Sequence, residues 1–504
     1  MSVEVRAEHE SLSAFLAATL TPIQRSHVLV TSFNQWEFTL AALAEVALTF
    51  HELQSKVTMA FWANELPLPD VGWMTSRRIA HLLATKTLDE AYGDALVAAG
   101  IPRAHMINPP VSTWEPVEDI TIQHPMNRTE IRGLTYRGSA LGRALLQVHP
   151  DSETPVTDDH YWPQRWLQRA SRSYAYVFDQ IQGVIERDGI TAIVVFNGRF
   201  ISDRAAASAA EALGVPVLYH DAGGTDTDFD LTIEPTHDWV ALQRRMTRMY
   251  DTWDPTQRDE LGGEWFERRV QHTDPANARF VETQKIGSMI EIDEGNRLVA
   301  FFSSSGDEII ELDLDWSQYF GSQEAALLLL AQTCRQLPNT SLVVRSHPHK
   351  RLKPKRDLED WNAAVAAAAP DLHLDPYSPI DSYELMRRAD VVVTYGSTTG
   401  IESAYAGKPT IVMGPSAYDV LECASVVSTK EDLVRALVEA HTPDPKGPLS
   451  WGLMMMRRGF ILRRVRGLQD GRVIGSFRIQ PPRPLAMTLS HFIAVRRKRW
   501  LLKR

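Results

Sequence analysis

Short β-branched apolar runs that end in small polar residues recur along this 504-residue chain, and each leads into a stretch with helical spacing. SHVLVTSF (26–33) is followed by LAALAEVALTFHELQ, and KVTMAFWA (56–63) reads as the next strand. AYVFDQIQGVIERDG has helical spacing with a glycine stop and feeds ITAIVVFNG (190–198). SDRAAASAAEALG reads as a helix with Ser202 as N-cap and Gly214 as stop, and VPVLYHDAGG is another strand and turn. Strand–helix–strand units of this length confine the fold to a parallel sheet covered on both faces.

A second series begins at RLVAFFSSS (297–305). It runs through AALLLLAQTCRQL, SLVVRSHPH (341–349), a helix around 356–369, DLHLD, the helix SYELMRRA, DVVVTYGSTTG (390–400) and KPTIVMGPS (408–416). The expected fold class is therefore α/β, with two doubly wound parallel-sheet domains facing each other across a cleft and a basic C-terminal helical tail. The expected boundaries are 1–290, 291–445 and 446–504. Residues 105–165, rich in proline and polar side chains, read as an excursion over the first sheet, because they are too long for an ordinary connection. A Trp-rich helical zone at roughly 237–282 closes the first half.

Composition narrows the class further. With 44% hydrophobic and 23% charged residues the chain can bury sizeable cores, which excludes disorder as a whole-chain description. The two cysteines, Cys334 and Cys423, form no CxxC zinc site and suit a reducing compartment. Zinc binding through His347 and His349 is not expected, since no Cys or third His lies nearby in sequence. The start, MSVEVRAEHE, lacks a signal-peptide pattern, and no apolar run reaches the roughly 18 residues that a membrane helix needs. The expected location is cytoplasmic.

The net charge of −10 conceals an asymmetry. From residue 455 onward there are 14 Arg/Lys against the single acid Asp470, a net of +13, which leaves −23 on the 454 residues before it. HFIAVRRKRWLLKR at the end interleaves basic with apolar side chains, the pattern of a segment that lies on an anionic membrane surface. Packing of the tail on the acidic body is the competing reading, with equal claim on 455–475, whereas 491–504 favours the membrane. Nucleic acid is not expected as a partner, because the body is acidic and shows no recognition motif.

Ligands of doubly wound sheets bind beyond the carboxyl ends of the strands. In the second series those ends carry Gly396-Ser397-Thr398-Thr399-Gly400 before a helix, Arg345-Ser346-His347-Pro348-His349, and Ser303-Ser304-Ser305. Hydroxyls and free N–H groups at a helix start make an anion site, and also an ordinary cap. Arg345 can pair with a phosphate, and His347 can donate to a phosphate oxygen or a leaving group. Pro348 forces the chain to turn at the strand tip. Ser303 and Ser304 are candidate donor contacts. Glu402, a turn inside the helix, is a candidate acceptor from ribose hydroxyls.

The run TYGSTTGIESAYAGKPTIVMGPSAYD, preceded by LVVRSHPH and FFSSSGDE, resembles bacterial capsule-polysaccharide and surface-glycan glycosyltransferases. FNGRF (196–200) and LGVPVLYHDAGG look like the N-terminal half of the same group, so the resemblance covers roughly 190–430. It implies a GT-B-like fold, with an N-terminal acceptor domain, a C-terminal nucleotide-sugar domain and no obligatory metal or other cofactor. Related transferases that use CMP-activated acidic sugars carry HP and Ser/Thr elements, matched here by His347-Pro348 and Ser397-Thr398. By that likeness His347, Ser397 and Thr398 contact the donor phosphate and Glu402 the ribose. Where look-alikes have an HERG-like run, this chain has His220-Asp221-Ala222-Gly223-Gly224, so its acceptor contacts are expected to differ from theirs. Asp221, at a strand tip beside a Gly-rich turn, is the candidate general base, and Asn197 and Arg199 are candidate acceptor contacts. The expected activity is transfer of a sugar from a nucleotide-activated donor to a surface polysaccharide or its lipid-linked precursor. A polyol-phosphate transferase of the teichoic-acid type and a non-catalytic scaffold are the alternatives.

Overall fold

The computed structural model describes residues 11–62, 66, 68, 76–107, 114–148, 161–223, 227–274, 276–291, 295–305, 320–352, 355–468, 471–480 and 482–501. The chain divides into two compact units, residues 1–238 with 457–504, and residues 239–456.

The strands of the first unit are, in chain order, β1 (His27–Ser32), β2 (Lys56–Phe61), β3 (Met106–Ile107), β4 (Ala192–Phe196), β5 (Val217–Ala222) and β6 (Asp228–Thr232). β1 to β5 are parallel in the order β5-β4-β1-β2-β3, and β6 runs antiparallel to β5. Every residue of β1 and β4 is buried, as a strand covered on both faces requires. One face is covered by the helix Glu37–Glu52, which sets Leu40, Leu43, Val46 and Phe50 against Val28, Val30 and Met59. The other face is covered by Gln164–Asp188 and Ile201–Ala212. Tyr174, Val177, Phe178, Ile181 and Ile185 recur at helical spacing along the first of these, which stops at Gly189 in the left-handed region (φ 66°). Ser202 lies inside the second helix, fully buried, and Phe200 occupies the cap position, so the helix begins two residues earlier than the N-cap pattern implied.

The second unit has a six-stranded, all-parallel sheet. Its strands are β7 (Arg297–Phe302), β8 (Thr340–Arg345), β9 (Leu372–Leu374), β10 (Val391–Thr394), β11 (Thr410–Val412) and β12 (Ser425–Val426). Their order is β12-β11-β10-β7-β8-β9. Strand order therefore reverses between β1 and β4 in the first unit and between β7 and β10 in the second, which creates a crevice at the carboxyl ends of each pair. Two doubly wound α/β units in one chain match the expected fold class.

Three expectations change. Residues 114–148 are no simple excursion over the sheet. Ile120, Ile122, Ile131, Tyr136, Leu141 and Leu145 are buried in the core around Gln164–Asp188, and the Tyr136 hydroxyl donates to Asp179 Oδ2 at 2.7 Å. The remainder of the 105–165 stretch lies largely outside the described residues.

The boundary expected near 290 falls instead at 238/239. Trp239–Thr252 and Arg258–Val270 place Met246, Met249, Tyr250 and Phe266 in a core with Ile401, Tyr418, Trp451 and Met454 of the second unit. A Cβ added at Gly452, on the helix Lys446–Arg457, would lie 2.0 Å from the carbonyl oxygen of Gly262, so that helix and Arg258–Val270 meet at a glycine contact.

The C-terminal 446–504 segment is not a single helical tail. Lys446–Arg457 is a helix of the second unit. β13 (Phe460–Ile461) then adds antiparallel to β6 at the edge of the first sheet. β14 (Val465–Leu468), β15 (Gly471–Ile474) and β16 (Phe477–Ile479) form an antiparallel meander whose Val465, Ile474 and Ile479 enter the core beneath Glu37–Glu52. Opposite charges hold it there. Arg464 Nη1 donates to buried Glu45 Oε1, its Nε to Glu52 Oε1, and Arg472 Nε to Glu37 Oε1, each at 2.7 Å. Packing on the acidic body is thus the outcome for this stretch. Beyond the meander, Pro484–Leu501 is a helix of basic sequence.

Candidate functional site

In the second unit, register brings three strand ends to one place. Phe302 pairs with Thr394 on one side and with Arg345 on the other, so Ser303, Tyr395-Gly396-Ser397 and Ser346-His347 all leave the sheet at the same level. Gly396 takes a positive φ of 75° to turn the chain from β10 into the helix Thr399–Tyr405. A Cβ at Gly400 would meet the Tyr418 hydroxyl at 2.0 Å, and that hydroxyl donates to the Ser397 carbonyl at 2.6 Å. The loop after β10 is thereby pinned. Ser397 is buried and donates its hydroxyl to Thr399 Oγ1 at 3.2 Å, whereas Thr398, the cap residue, is exposed.

His347 is fixed from both ends. Its N–H donates to Ser303 Oγ at 2.8 Å, and its Nδ1 accepts the His349 N–H at 3.1 Å. An accepting Nδ1 leaves the proton of the neutral ring on Nε2. Phe280 meets the rings of His347 and His349 edge to face at 5.4 and 6.0 Å. Pro348 opens the 3-10 turn Pro348–Leu352 that carries the chain off the strand. Behind it, Trp361 Nε1 donates to Ser346 Oγ at 2.7 Å, and that hydroxyl lies 2.8 Å from His373 Nε2.

Three sequence candidates have other partners. Arg345 is buried, and its guanidinium donates to the carbonyls of Asp375 and Ser378 at 3.0 and 3.3 Å, which ties down the loop after β9. Burial pushes this guanidinium down to about 10, so it stays charged at neutral pH. Ser304 donates both its N–H and its hydroxyl to Gln323 Oε1, at 2.6 and 3.3 Å. Glu402 is not a solvated helical acid. It is buried, and Oε1 accepts from Arg269 Nε at 2.5 Å. Arg269 also donates to Asp274 Oδ2 at 3.0 Å and lies over the Trp265 ring at 4.6 Å. Burial pushes the Glu402 carboxyl up while Arg269 opposes it, and the carboxylate in turn holds the guanidinium charged. Sequence reasoning missed Arg269 because it stands before the expected domain boundary.

The remaining candidates belong to the first unit and gather around the ends of β4 and β5. Asn197 is buried, accepts the Arg199 N–H at 3.0 Å through Oδ1, and hydrogen-bonds the Asp221 side chain. Gly198 between them has φ 71°, and a Cβ there would lie 2.6 Å from the Tyr219 ring. Asp221 pairs in register with Asp230 on β6. Burial pushes the Asp221 carboxyl up, and Arg458 and the Asn197 hydrogen bond pull against that. A carboxylate with a raised pKa and fixed orientation suits a general base. Its neighbour His220 is fully buried, with no hydrogen-bond partner for either ring nitrogen among the described residues, and burial lowers it to about 3. It remains neutral. His237, lowered to about 4 by burial and then by Arg199 and Arg458, completes the group. Arg458 arrives from the far end of the sequence. Gly459 after it (φ 90°) packs on the Phe229 carbonyl, where a Cβ would stand 2.2 Å away. The Arg-Arg-Gly run that delivers it read in the sequence as part of a basic tail, so this contribution was not seen.

Among the described residues no helix is long and apolar enough to cross a membrane. Pro484–Leu501 is anchored by buried Ala486 and by Ser490, whose Oγ accepts the Ser76 N–H at 2.9 Å. Leu485, Leu489, Phe492 and Ile493, at helical spacing on another side, are 41–57% exposed. The Arg496 guanidinium lies 5.2 Å from the Phe492 ring, one turn further on.

Residues 309–424 match the family model described as capsule polysaccharide biosynthesis protein. No curated protein matches the chain. Among solved structures, the chain is similar to KpsC of Thermosulfurimonas dismutans, described as a β-Kdo 2,7 transferase. That match has 14% identity and a TM-score of 0.35, and covers 64% of this chain and 89% of that one. The β-Kdo 2,4 transferase KpsC of the same organism gives 14% and 0.33 over 53% and 80%. A UDP-GlcNAc 2-epimerase from Neisseria meningitidis gives 11% and 0.26 over 84% and 97%.

Proposed function

We propose that the protein is a metal-independent glycosyltransferase of the GT-B type acting in capsule polysaccharide biosynthesis. The reading assigns a nucleotide-activated donor to the second unit and the glycan acceptor, a surface polysaccharide or its lipid-linked precursor, to the first. The observation that carries it is the convergence of Ser303, His347 and Ser397 at the strand reversal of the second sheet, with His347 and Ser397 inside the 309–424 segment matched by the capsule family model.

In this reading the donor phosphate lies against His347 Nε2–H and the hydroxyls of Ser397 and Thr398. As the sugar–phosphate bond breaks, negative charge grows on the leaving phosphate. A donor oriented in advance lowers that barrier without reorganising. Ser303 holds the His347 backbone, and Arg345 shapes the neighbouring loop. Asp221, with its carboxyl pushed up by burial, takes the proton from the acceptor hydroxyl. A CMP-linked acidic sugar is the donor of choice on the HP and Ser/Thr elements.

The exposed apolar stripe of Pro484–Leu501, with Arg496 following it and no acid in the helix, supports attachment to an anionic membrane surface. That would keep the enzyme beside a lipid-linked acceptor.

Incubation of the protein with CMP-, UDP-, GDP- and CDP-linked donors and capsule-precursor glycans, followed by mass spectrometry of the products, tests the reading. A new glycosidic linkage is expected. A phosphodiester product would replace it with a polyol-phosphate transferase. Binding of no nucleotide, together with no product, would leave a scaffold.

A further inference from the structure

At the strand reversal of the first sheet, four aromatic rings form a group that neither core absorbs. Trp36 follows the end of β1, where its N–H is held by Asn34 Oδ1 at 3.0 Å. Its ring stacks on Phe38 at 5.7 Å and meets Phe196 and Phe200 edge to face at 5.7 and 5.5 Å. Phe196 ends β4 and stacks on Phe200 at 5.9 Å. Only Phe196 is fully buried; Trp36 and Phe200 are half-buried and Phe38 is exposed. None of the four belongs to the clusters that fill the two faces of the sheet.

Packing alone does not account for this arrangement, because half-exposed large rings outside a core leave apolar surface in water. The place is informative. β1 and β4 flank the point where strand order reverses, and ligands of such sheets bind beyond those ends. The polar groups beside the rings are those already assigned to the acceptor. Asn197 and Arg199 bracket Gly198 directly after Phe196, the Arg199 guanidinium lies 5.6 Å from the Phe200 ring, and His220 touches Phe196 at 5.3 Å.

We propose that Trp36, Phe38 and Phe200 form the platform on which a pyranose ring of the acceptor glycan lies, with Asn197 and Arg199 reading its hydroxyls. A pyranose presents axial C–H bonds on one face and hydroxyls at its rim. That shape requires an apolar, electron-rich surface with polar groups at the edge, and the ledge supplies both. Deepening the glycosyltransferase reading, the proposal rests on it for the identity of the acceptor as a glycan. It needs no detail of the donor.

The experiment is saturation-transfer difference NMR on the full-length protein. The probes are the methyl glycosides of glucose, galactose, N-acetylglucosamine, glucuronic acid and N-acetylneuraminic acid. At least one should receive saturation, strongest at its ring C–H protons. Trp36→Ala should weaken that probe at least about fivefold, on the scale of a lost aromatic contact, while Trp36→Phe retains most of it. Phe38→Ala, at an exposed ring, gives a second reading if Trp36→Ala fails to fold. In parallel, binding of CMP, CDP, UDP and GDP should be the same in all variants as in the parent. Absence of saturation for every glycoside, or equal saturation in Trp36→Ala and Phe38→Ala, overturns the platform. Loss of nucleotide binding by the parent protein would instead strike the glycosyltransferase reading.

Discussion

The backbone N–H of His347 donates to Ser303 Oγ at 2.8 Å, so the tip of β8 is tied to the tip of β7 at the point where the second sheet reverses its strand order. The bond sets the orientation of the one imidazole that the proposed chemistry uses. Ser303→Ala removes the acceptor and leaves a half-buried N–H without its partner. A loss of about 1–3 kcal/mol in the stability of the second unit follows, with weaker nucleotide binding. Ser303→Thr, which keeps the hydroxyl, should restore much of both. Denaturant unfolding and a nucleotide titration of the two variants check this, and unchanged affinity in Ser303→Ala would contradict it.

Arg269 and Glu402 make a separate claim. Their ion pair is buried, so Arg269→Leu alone leaves an uncompensated carboxylate and should cost about 3–5 kcal/mol, whereas Arg269→Leu with Glu402→Leu should recover most of the loss. Thermal unfolding measures both. Glu402→Gln should lower the melting temperature but leave nucleotide affinity within about twofold of the parent. A large affinity loss at full stability would return Glu402 to the ribose.

His220 gives a pH dependence with a definite sign. Its folded pKa lies near 3, below the ordinary histidine value of 6.5, because burial disfavours the imidazolium. As pH falls through 6.5 the unfolded chain takes up a proton that the folded chain refuses until about 3. The stability contribution is therefore fully present above 6.5 and is lost progressively down to about 3, amounting to roughly 4–5 kcal/mol. In His220→Phe the melting temperature of the first unit should fall less steeply over that range. Identical pH profiles for parent and variant would show that His220 is not held neutral by the fold.

Much of the fold was legible because parallel strands buried on both faces leave apolar runs that need no partner to be recognised. All of the strands read from the sequence are present, and the positions of Ser303, His347 and Ser397 follow from counting past strand ends. What was not legible depends on contacts between distant segments. Arg269 carried no sequence signal, because only the packing of its helix brings it to Glu402. Arg458 looked like tail charge until Gly459 seated its segment against β6. The basic meander read equally as membrane contact or as packing on the body, because no local pattern tells an arginine facing lipid from Arg464 facing Glu45 and Glu52. Trp36 and Phe200 are far apart in sequence, and neither lies on a periodic face, so their meeting at a strand reversal gave no sequence signal.

The terminal helix should respond to charge and to apolar surface separately. The full-length protein should sediment with vesicles containing phosphatidylglycerol and much less with phosphatidylcholine alone. Binding should weaken as salt rises, since screening shortens to about 8 Å near physiological ionic strength. Phe492→Glu with Ile493→Glu changes exposed side chains, so it should abolish sedimentation without lowering the melting temperature. Equal sedimentation of that variant would remove the helix from any membrane role.

The central claim is that the second unit binds a nucleotide-activated sugar at the strand ends carrying Ser303, His347 and Ser397. A thermal-shift panel of CMP, CDP, UDP and GDP, run on the parent protein, His347→Ala and Ser397→Ala, addresses it directly. One nucleotide should raise the melting temperature of the parent, and both substitutions should largely remove the shift. A shift that survives in both variants, or its absence with all four nucleotides, would contradict it.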